Sequence, residues 1–127
     1  HRIGLYDAIR IKENHILACG GIAKAIDEAR FHNPETHIEV EVENTLDAVI
    51  AAKEGAAIIM LDNFSPSQIK RTIKVLKNQK LRNKVMLEAS GGINSKNIFK
   101  YGQTGVDIIS VGSITNSVKG IDMSLEI

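Results

Sequence analysis

The chain has 127 residues, of which 43% are hydrophobic, so it can bury one sizeable core as a single domain or as part of one. Sixteen Lys and Arg against fifteen Asp and Glu leave a formal net charge of +1, which argues against a surface built to hold nucleic acid or an anionic membrane. The longest apolar run, 56–61, is too short to span a bilayer, and 1–7 lacks the apolar stretch of a secretory signal. We therefore expect a soluble, cytoplasmic protein with no membrane and no nucleic-acid partner.

Cysteine and histidine give no sign of a zinc site in the sequence. Cys19 is the only cysteine, which excludes an internal disulfide and a Cys-based zinc site and fits a reducing compartment. We expect a buried, inert thiol there rather than a nucleophile. The four histidines, His1, His15, His32 and His37, show no metal-ligand spacing, so zinc is not expected.

A basic segment precedes the fourth predicted strand. Between 65 and 84 there are seven basic residues and no acidic one, and no aromatic residue interleaves with them. These residues are Lys70, Arg71, Lys74, Lys77, Lys80, Arg82 and Lys84. The pattern favours a solvated helix face over a patch that attracts polyanions, and its role stays open.

Hydrophobic patterns predict five strands separated by helices. The predicted strands are 8–12, 38–44, 57–61, 85–87 and 106–111, and 121–127 alternates as a short final strand would. The predicted helices are 22–31, 46–53, one that begins after Ser65, and 95–101, whereas 13–15 is predicted to be a polar turn. This alternation is typical of a parallel α/β fold, and we predict part of a parallel β/α barrel with about five β/α units.

Two helix starts have clear signals. Thr45 is the predicted N-cap of helix 46–53, because its hydroxyl can accept a hydrogen bond from an unpaired backbone N–H. Ser65 is followed by Pro66 at the first helical position and by Gln68 three residues after the cap, as in a capping box. The predicted buried positions of the two helices are Leu46, Val49, Ile50, Ile69, Ile73 and Leu76.

The segment 38–44 alternates strictly between apolar residues and the carboxylates Glu39, Glu41 and Glu43. Alone, this pattern fits a surface strand whose acidic face meets water. Its neighbours are apolar on both sides, however, so we interpret it as a central strand. The apolar side chains then pack outward against helices, and the three carboxylates face the barrel interior.

Two predicted strands end in small, glycine-containing loops, Ser90-Gly91-Gly92 and Gly112-Ser113. Glycine lets backbone N–H groups approach phosphate oxygens, and a following helix N-terminus adds favourable dipole charge. One such loop is usually only a turn, but a pair on adjacent strands favours a phosphate site at the carboxyl edge of the sheet.

Charged residues lie at or near other predicted strand ends. Asp62 follows an apolar strand and is either a turn residue or, with Glu41, a site for Mg²⁺ bound through water or for sugar hydroxyls. His1, Arg2 and Lys12 are either grips for an anionic substrate or solvated surface charges.

Several stretches, in order over essentially the whole chain, match one known family: HRIGLYD at 1–7, IKENH at 11–15, IEVEV at 38–42, MLDN at 60–63, EASGGI at 88–93, and TGVD at 104–107 with SVG at 110–112. They resemble the quinolinate phosphoribosyltransferase family, whose enzyme is also called carboxylating nicotinate-nucleotide pyrophosphorylase. The resemblance covers only the later part of that family's chain. Residues 1–127 are thus expected to be the C-terminal portion of an α/β barrel catalytic domain, with the N-terminal domain and first barrel strands absent.

The resemblance implies conversion of quinolinate and phosphoribosyl pyrophosphate, with Mg²⁺, into nicotinate mononucleotide, pyrophosphate and carbon dioxide in de novo NAD biosynthesis. It implies that His1, Arg2 and Lys12 contact the quinolinate carboxylates, and that Glu41 and Asp62 bind the ribose hydroxyls and the metal-bound diphosphate. It assigns the 5-phosphate to the loops at Ser90, Gly91 and Gly112. Glu41, Asp62 and Lys12 are then the candidate catalytic residues.

The family is typically dimeric, so a homodimer or higher homo-oligomer is implied, and this chain alone is expected to be inactive. Departures from the family pattern are mild: Glu13 stands where Asp is common, and Arg10 stands where an apolar residue is common. Two alternatives stay open. One is a phosphate-binding barrel of another enzyme class, for which Lys12 is the only strand-end lysine available for a Schiff base, and the other is a non-catalytic anion-binding module.

Overall fold

The computed structural model describes residues 8–112 and 123–126. Its strands are β1 (Ala8–Ile11), β2 (His37–Val42), β3 (Ile58–Asp62), β4 (Met86–Ser90), β5 (Ile108–Val111) and β6 (Met123–Glu126). Its helices are α1 (Glu13–Cys19), α2 (Ile22–His32), α3 (Thr45–Lys53), α4 (Pro66–Asn78) and α5 (Ile98–Gly102), with a 3₁₀ turn at Arg82–Lys84. In this part of the chain no helix is long and apolar enough to cross a membrane.

The strands form one sheet in the order β1-β2-β3-β4-β5-β6. The first five are parallel, and β6 pairs antiparallel with β5. Helices connect each of the first four strands to the next, and the spatial order never reverses, unlike in a doubly wound sheet. The predicted α/β class, with five parallel strands in barrel order, is confirmed. The tail strand was predicted without a direction, because the alternation in 121–127 does not specify one.

The two faces of the sheet have different chemistry. One face packs against the helices in a single core, to which Ile11, Val40, Leu61, Leu87 and Ile109 contribute side chains that are at most 1% exposed. The opposite face carries the alternate residues of every parallel strand, since successive strand residues point to opposite sides. Its members include Arg10, Glu39, Glu41, Ile58, Met60, Asp62, Glu88, Ser90 and Ser110. The predicted orientation of the acidic strand, valines toward the helices and carboxylates away from them, fits this arrangement.

The first connection differs from the prediction. The polar stretch 13–15, predicted to be a turn, is the start of helix α1. This helix has no side-chain cap and no buried residue, so neither a capping motif nor an apolar stripe marks it in the sequence. It ends at Gly20 in the left-handed conformation, and α2 begins directly after Gly21.

Helix α3 begins one residue earlier than predicted, and its cap is a different residue. Asn44, not Thr45, accepts a hydrogen bond from the backbone N–H of Asp47, at 2.8 Å. The Thr45 hydroxyl instead lies 2.7 Å from the hydroxyl of Thr72 in α4 and joins the two helices. Leu46, predicted to be buried, is 69% exposed, because α3 packs through the face formed by Ala48, Val49, Ala51 and Ala52 and Leu46 lies away from that face.

Helix α4 matches its prediction closely. The Ser65 hydroxyl accepts from the N–H of Gln68 at 3.2 Å, and the Gln68 side chain accepts from the N–H of Ser65 at 2.7 Å, which completes the predicted capping box. The core stripe contains Ile69, Ile73 and Leu76 as predicted, together with the fully buried Thr72.

Arg82 belongs to the basic segment but has a structural role. Its guanidinium group donates to the backbone carbonyls of Val85 at 3.2 Å and Gly105 at 2.8 Å, and forms an ion pair with Asp107 at 3.0 Å. The same Asp107 oxygen accepts from the N–H of Leu87 at 2.8 Å. This group of contacts fixes the start of β4 beside the start of β5.

Candidate active site

The carboxyl ends of the parallel strands bring together most of the predicted site residues that the structure describes. Register pairs Glu41 with Met60, and Asp62 with Ser90, so Glu41 and Asp62 lie on the same face of adjacent strands with Asp62 two positions further along. Lys12 follows β1, and continuing the register of β1 with β2 places it level with Glu41. His1, Arg2 and Ser113 lie outside the described residues.

Glu41 lines an open cleft of about 210 Å³ beyond the end of β2. Four acidic residues are among those that line it: Glu13 in α1, Glu41 in β2, Glu43 just after β2, and Asp47 in α3. Glu41 is half-buried, and none of the described residues forms an ion pair or a hydrogen bond with its carboxylate. A cleft with this charge is suited to a cation or to hydroxyl groups that donate hydrogen bonds.

The segment after β3 is held against the end of β4. The backbone N–H of Asn63 donates to the carbonyl of Ser90 at 2.8 Å, and Asn63 itself adopts the left-handed conformation with φ +59°. A Cβ at Gly91 would lie 2.4 Å from the Asn63 side-chain oxygen and 2.9 Å from its backbone nitrogen. Position 91 therefore has room only for glycine, which keeps this segment close to Asp62.

The Gly91-Gly92 loop has the features of an anion site. Both glycines have positive φ, +90° and +70°, and within the described part of the chain no group accepts a hydrogen bond from the N–H of Gly91, Gly92 or Ile93. The Asn97 side chain holds the loop in place through two hydrogen bonds. It donates to the Gly92 carbonyl at 3.0 Å and accepts from the N–H of Asn94 at 2.8 Å. Fixed backbone donors at the end of a parallel strand suit a phosphate. Gly112 lies exposed at the end of the neighbouring strand β5.

Two further carboxylates lie below the edge on the same face, and sequence reasoning gave them no defined part. Glu88 is buried and accepts a hydrogen bond from the Ser110 hydroxyl at 2.5 Å. Glu39 is buried beside Arg10, whose guanidinium nitrogen lies 3.2 Å away in an ion pair. Loss of hydration raises the pKa of Glu39, the nearby Glu88 raises it further, and Arg10 opposes the shift. Glu88 could have been singled out from the sequence, because it lies two residues before Ser90 on the same strand.

The oxygen ligands at this edge fit a hard divalent cation. Glu41 and Asp62 are half-buried and present carboxylates on one face of adjacent strands, and no described Lys or Arg neutralises either of them. Carboxylate pairs of this kind hold Mg²⁺ directly or through water. The chemistry of the donor set thus matches the metal that the sequence resemblance implied.

Cys19 takes no part in this edge. It is half-buried rather than fully buried, and its thiol lies 3.6 Å from the Glu28 carboxylate. Partial desolvation and the negative charge of Glu28 raise the pKa of the Cys19 thiol, so it is unsuited to act as a nucleophile.

Comparison with known proteins gives the family. The family model described as "Quinolinate phosphoribosyl transferase, C-terminal domain" matches residues 1–126 of this chain. The chain belongs to the quinolinate phosphoribosyl transferase family.

Relatives in this family come from all domains of life. The chain is 48% identical over 128 residues to the probable nicotinate-nucleotide pyrophosphorylase [carboxylating] of Methanothermobacter thermautotrophicus, with 100% of the chain and 46% of the relative covered. It is 38% identical to the nicotinate-nucleotide pyrophosphorylase [carboxylating] of Homo sapiens, of which it covers 42%. The structure of the Francisella tularensis enzyme of that name matches 94% of this chain and 41% of its own length, with a TM-score of 0.79 and 46% identity. The chain thus spans about half the length of the quinolinate phosphoribosyl transferase relatives it matches.

Proposed function

We propose that the protein to which this chain belongs transfers a phosphoribosyl group from phosphoribosyl pyrophosphate to quinolinate, with loss of carbon dioxide, giving nicotinate mononucleotide and pyrophosphate. One observation carries the proposal: the carboxylates of Glu41 and Asp62, which form no ion pair with a described residue, lie at the same strand edge as the Gly91-Gly92 loop, whose N–H groups have no acceptor among the described residues. The substrate pairs a hydroxyl-rich sugar and a metal-bound diphosphate with a 5-phosphate. Those are the groups that such an edge is suited to bind.

In this proposal each element of the edge binds a different part of the substrates. Ser90, Gly91 and Gly92, with Gly112 and Ser113 from the next strand, hold the 5-phosphate through backbone donors and hydroxyl groups. Glu41 and Asp62 accept hydrogen bonds from the ribose hydroxyls and hold Mg²⁺, which supplies positive charge to the diphosphate leaving group. Quinolinate is a dianion, and its carboxylates are assigned to His1, Arg2 and Lys12.

The mechanism follows from the charges. As the pyridine nitrogen displaces diphosphate at the anomeric carbon, positive charge develops on the ribose ring. Glu41 and Asp62 are fixed by neighbouring strands, so their negative charges stabilise the transition state without reorganisation, by a few kcal/mol for each well-placed group. Lys12, level with Glu41, orients the ring by binding one of its carboxylates. The ring carboxylate next to the nitrogen is then lost as carbon dioxide, and the ring carbon that keeps the electron pair of the broken bond takes up a proton from water.

Three further properties belong to the proposal. Residues 1–127 form the C-terminal portion of a barrel catalytic domain that an N-terminal domain and earlier strands complete. The complete protein is a homodimer or higher homo-oligomer of the cytoplasm. Mg²⁺ is its metal, which the carboxylate donors at the edge support.

The test uses the complete protein that contains this chain. Incubation with quinolinate, phosphoribosyl pyrophosphate and Mg²⁺ should yield nicotinate mononucleotide and carbon dioxide in equal amounts, measured by chromatography and by release of label from the ring carboxylate. Nicotinate, which lacks the second carboxylate, is the control and should give little product. Absence of product with quinolinate, together with binding of inorganic phosphate alone, would refute the transfer reaction and favour a non-catalytic anion-binding module.

A further inference from the structure

Three potential metal ligands meet between α1 and α2, on side chains that the proposed reaction does not use. A histidine nitrogen of His15, the thiol of Cys19 and a carboxylate oxygen of Glu28 all lie within 4.8 Å of one another. The Cys19 sulfur is already 3.6 Å from Glu28 Oε2. Zinc bond lengths of about 2.0–2.3 Å place the ligand atoms of a tetrahedral site roughly 3.3–3.8 Å apart, so only small side-chain rotations separate the cluster from that geometry.

The local fold explains the cluster. His15 and Cys19 are four residues apart in α1 and therefore lie on one side of the helix. The Gly20-Gly21 turn returns the chain at once, since both glycines have positive φ and their N–H groups bond to the carbonyl of Ile16 at 3.0 and 2.9 Å. Glu28 of α2 thereby faces the two α1 ligands. This set departs from the expectation that the chain has no zinc site with Cys19. Spacing along the sequence does not reveal it, because its third ligand comes from the next helix.

The cluster is separate from the acidic cleft. Glu13, Ile16 and Leu17 of α1 line the cleft, and the 100° rotation per residue of a helix puts His15 and Cys19 on the other side. The donor sets differ too. The cleft offers only oxygen from its charged side chains, as Mg²⁺ prefers, whereas the helix cluster offers nitrogen, sulfur and oxygen, a set suited to zinc.

We propose that His15, Cys19 and Glu28 bind one Zn²⁺ ion, with water as the fourth ligand. Cys19 binds as the thiolate. The ion joins α1 to α2 and so holds α1, whose opposite side forms part of the cleft wall. This inference does not depend on the proposed transfer reaction.

Metal titration of the purified, chelator-treated protein tests the site. Isothermal titration calorimetry should show that one Zn²⁺ ion binds per chain. Replacement of zinc by Co²⁺ should give the absorption band of a thiolate-to-cobalt charge transfer. Cys19→Ser, His15→Asn and Glu28→Gln should each weaken zinc binding at least about tenfold, as loss of a ligand does. His32→Asn and Glu35→Gln are the matched controls, and they should keep wild-type affinity. Equal zinc affinity in the wild type and in Cys19→Ser would overturn the proposal.

A second measurement needs no variant. Cys19 is the only cysteine of the chain, so its rate of alkylation by iodoacetamide reports on this site alone in the 127-residue chain. Zinc should slow the alkylation at least about tenfold, because a metal-bound thiolate is shielded, and Mg²⁺ should not. An alkylation rate that zinc leaves unchanged would also overturn the proposal.

Discussion

At the scale of single residues, two glutamates on the same strand have different environments because they lie at different points along it. Glu39 and Glu41 lie two residues apart on the same face of β2, but Glu39 is buried and paired with Arg10, whereas Glu41 lines the cleft and has no ion-pair partner in the part of the chain that the structure describes. The environment of Glu39 suits a structural role, whereas that of Glu41 suits contact with a substrate. The alternation in the sequence predicts the shared face, but burial depends on the neighbouring strands.

Glu41→Gln in the complete protein should lower turnover about 10²-fold or more while changing quinolinate affinity less than about twofold. The amide keeps the shape but removes the negative charge that stabilises the developing cation. Steady-state kinetics and equilibrium binding of quinolinate measure the two effects. The matched control is Glu43→Gln, because Glu43 is exposed just after the same strand. This substitution should lower turnover less than about tenfold. Unchanged turnover in Glu41→Gln would remove this residue from the mechanism.

Glu39 should make the folded state more stable in acid. Its folded pKa is raised, so above the ordinary glutamate pKa of roughly 4.3 the folded state holds a proton that the unfolded state has lost. This contribution is fully present below that pH and disappears as pH rises through the folded pKa. Denaturant unfolding measured from about pH 4.3 up to the folded pKa of Glu39 should therefore show a free energy of unfolding that declines as pH rises. Glu39→Gln should lack this decline.

The control for this pH series is Glu35→Gln, in the exposed turn before β2, which should keep the wild-type profile. Identical pH profiles for wild type and Glu39→Gln would contradict the assignment.

Gly91→Ala should damage the phosphate loop more than Gly92→Ala does. Both positions have positive φ, which costs a residue with a Cβ about 1–2 kcal/mol. Only at position 91 does the new atom also meet Asn63, whereas nothing lies within 4 Å at position 92. Unfolding free energies and affinity for inorganic phosphate should both fall further in Gly91→Ala. Equal losses in the two variants would mean that the contact with Asn63 is unimportant.

At the scale of elements, the start of β4 depends on side chains rather than on the ladder alone. Asp107 accepts from the Leu87 N–H and pairs with Arg82, whose side chain is only 13% exposed. Removing one partner of a buried ion pair lowers the stability of the folded state strongly, because the other charge is left buried without a partner.

Asp107→Ala should lower the free energy of unfolding by about 2 kcal/mol, since it leaves a buried N–H and a largely buried guanidinium group with one partner fewer. Chemical denaturation measures the loss. Asp27→Ala removes an exposed pair with Arg30 at 3.9 Å and should change stability by less than about 0.5 kcal/mol. Similar effects of the two substitutions would argue against the structural role of Asp107.

How much the sequence predicts varies from element to element, for physical reasons. The capping box at Ser65 and the period of β2 were predictable, because local chemistry alone determines them. The start of α1 was not, since its exposed residues and missing cap give no periodic signal. The cap of α3 was placed one residue late, because Asn44 and Thr45 are both good caps and the contact with Thr72 that decides between them is distant in sequence.

The same contrast holds at the site. The positions of Asp62 and Gly91 at the carboxyl edge were predictable from the apolar strands before them, and the position of Glu41 from the alternation in 38–44. The hydrogen bond of Glu88 with Ser110 and the meeting of His15 with Glu28 depend on contacts between elements, which one sequence read alone does not specify.

At the scale of the whole molecule, the 127-residue chain spans 46% of the length of its relative from Methanothermobacter thermautotrophicus. We expect this chain expressed alone to form no nicotinate mononucleotide, because the resemblance implies further basic residues from the rest of the barrel. An assay of the isolated chain beside the complete protein measures this. Product from the isolated chain at the rate of the complete protein would contradict the expectation.

The sequential strand order also bears on folding. Each parallel strand pairs with the one before it along the chain, so the entropy of loop closure grows little from one step to the next. The sheet can therefore assemble by adding one strand and helix at a time, with β2 to β4 as a nucleus that needs neither end of the chain. Folding rates should then respond most to substitutions in those central strands.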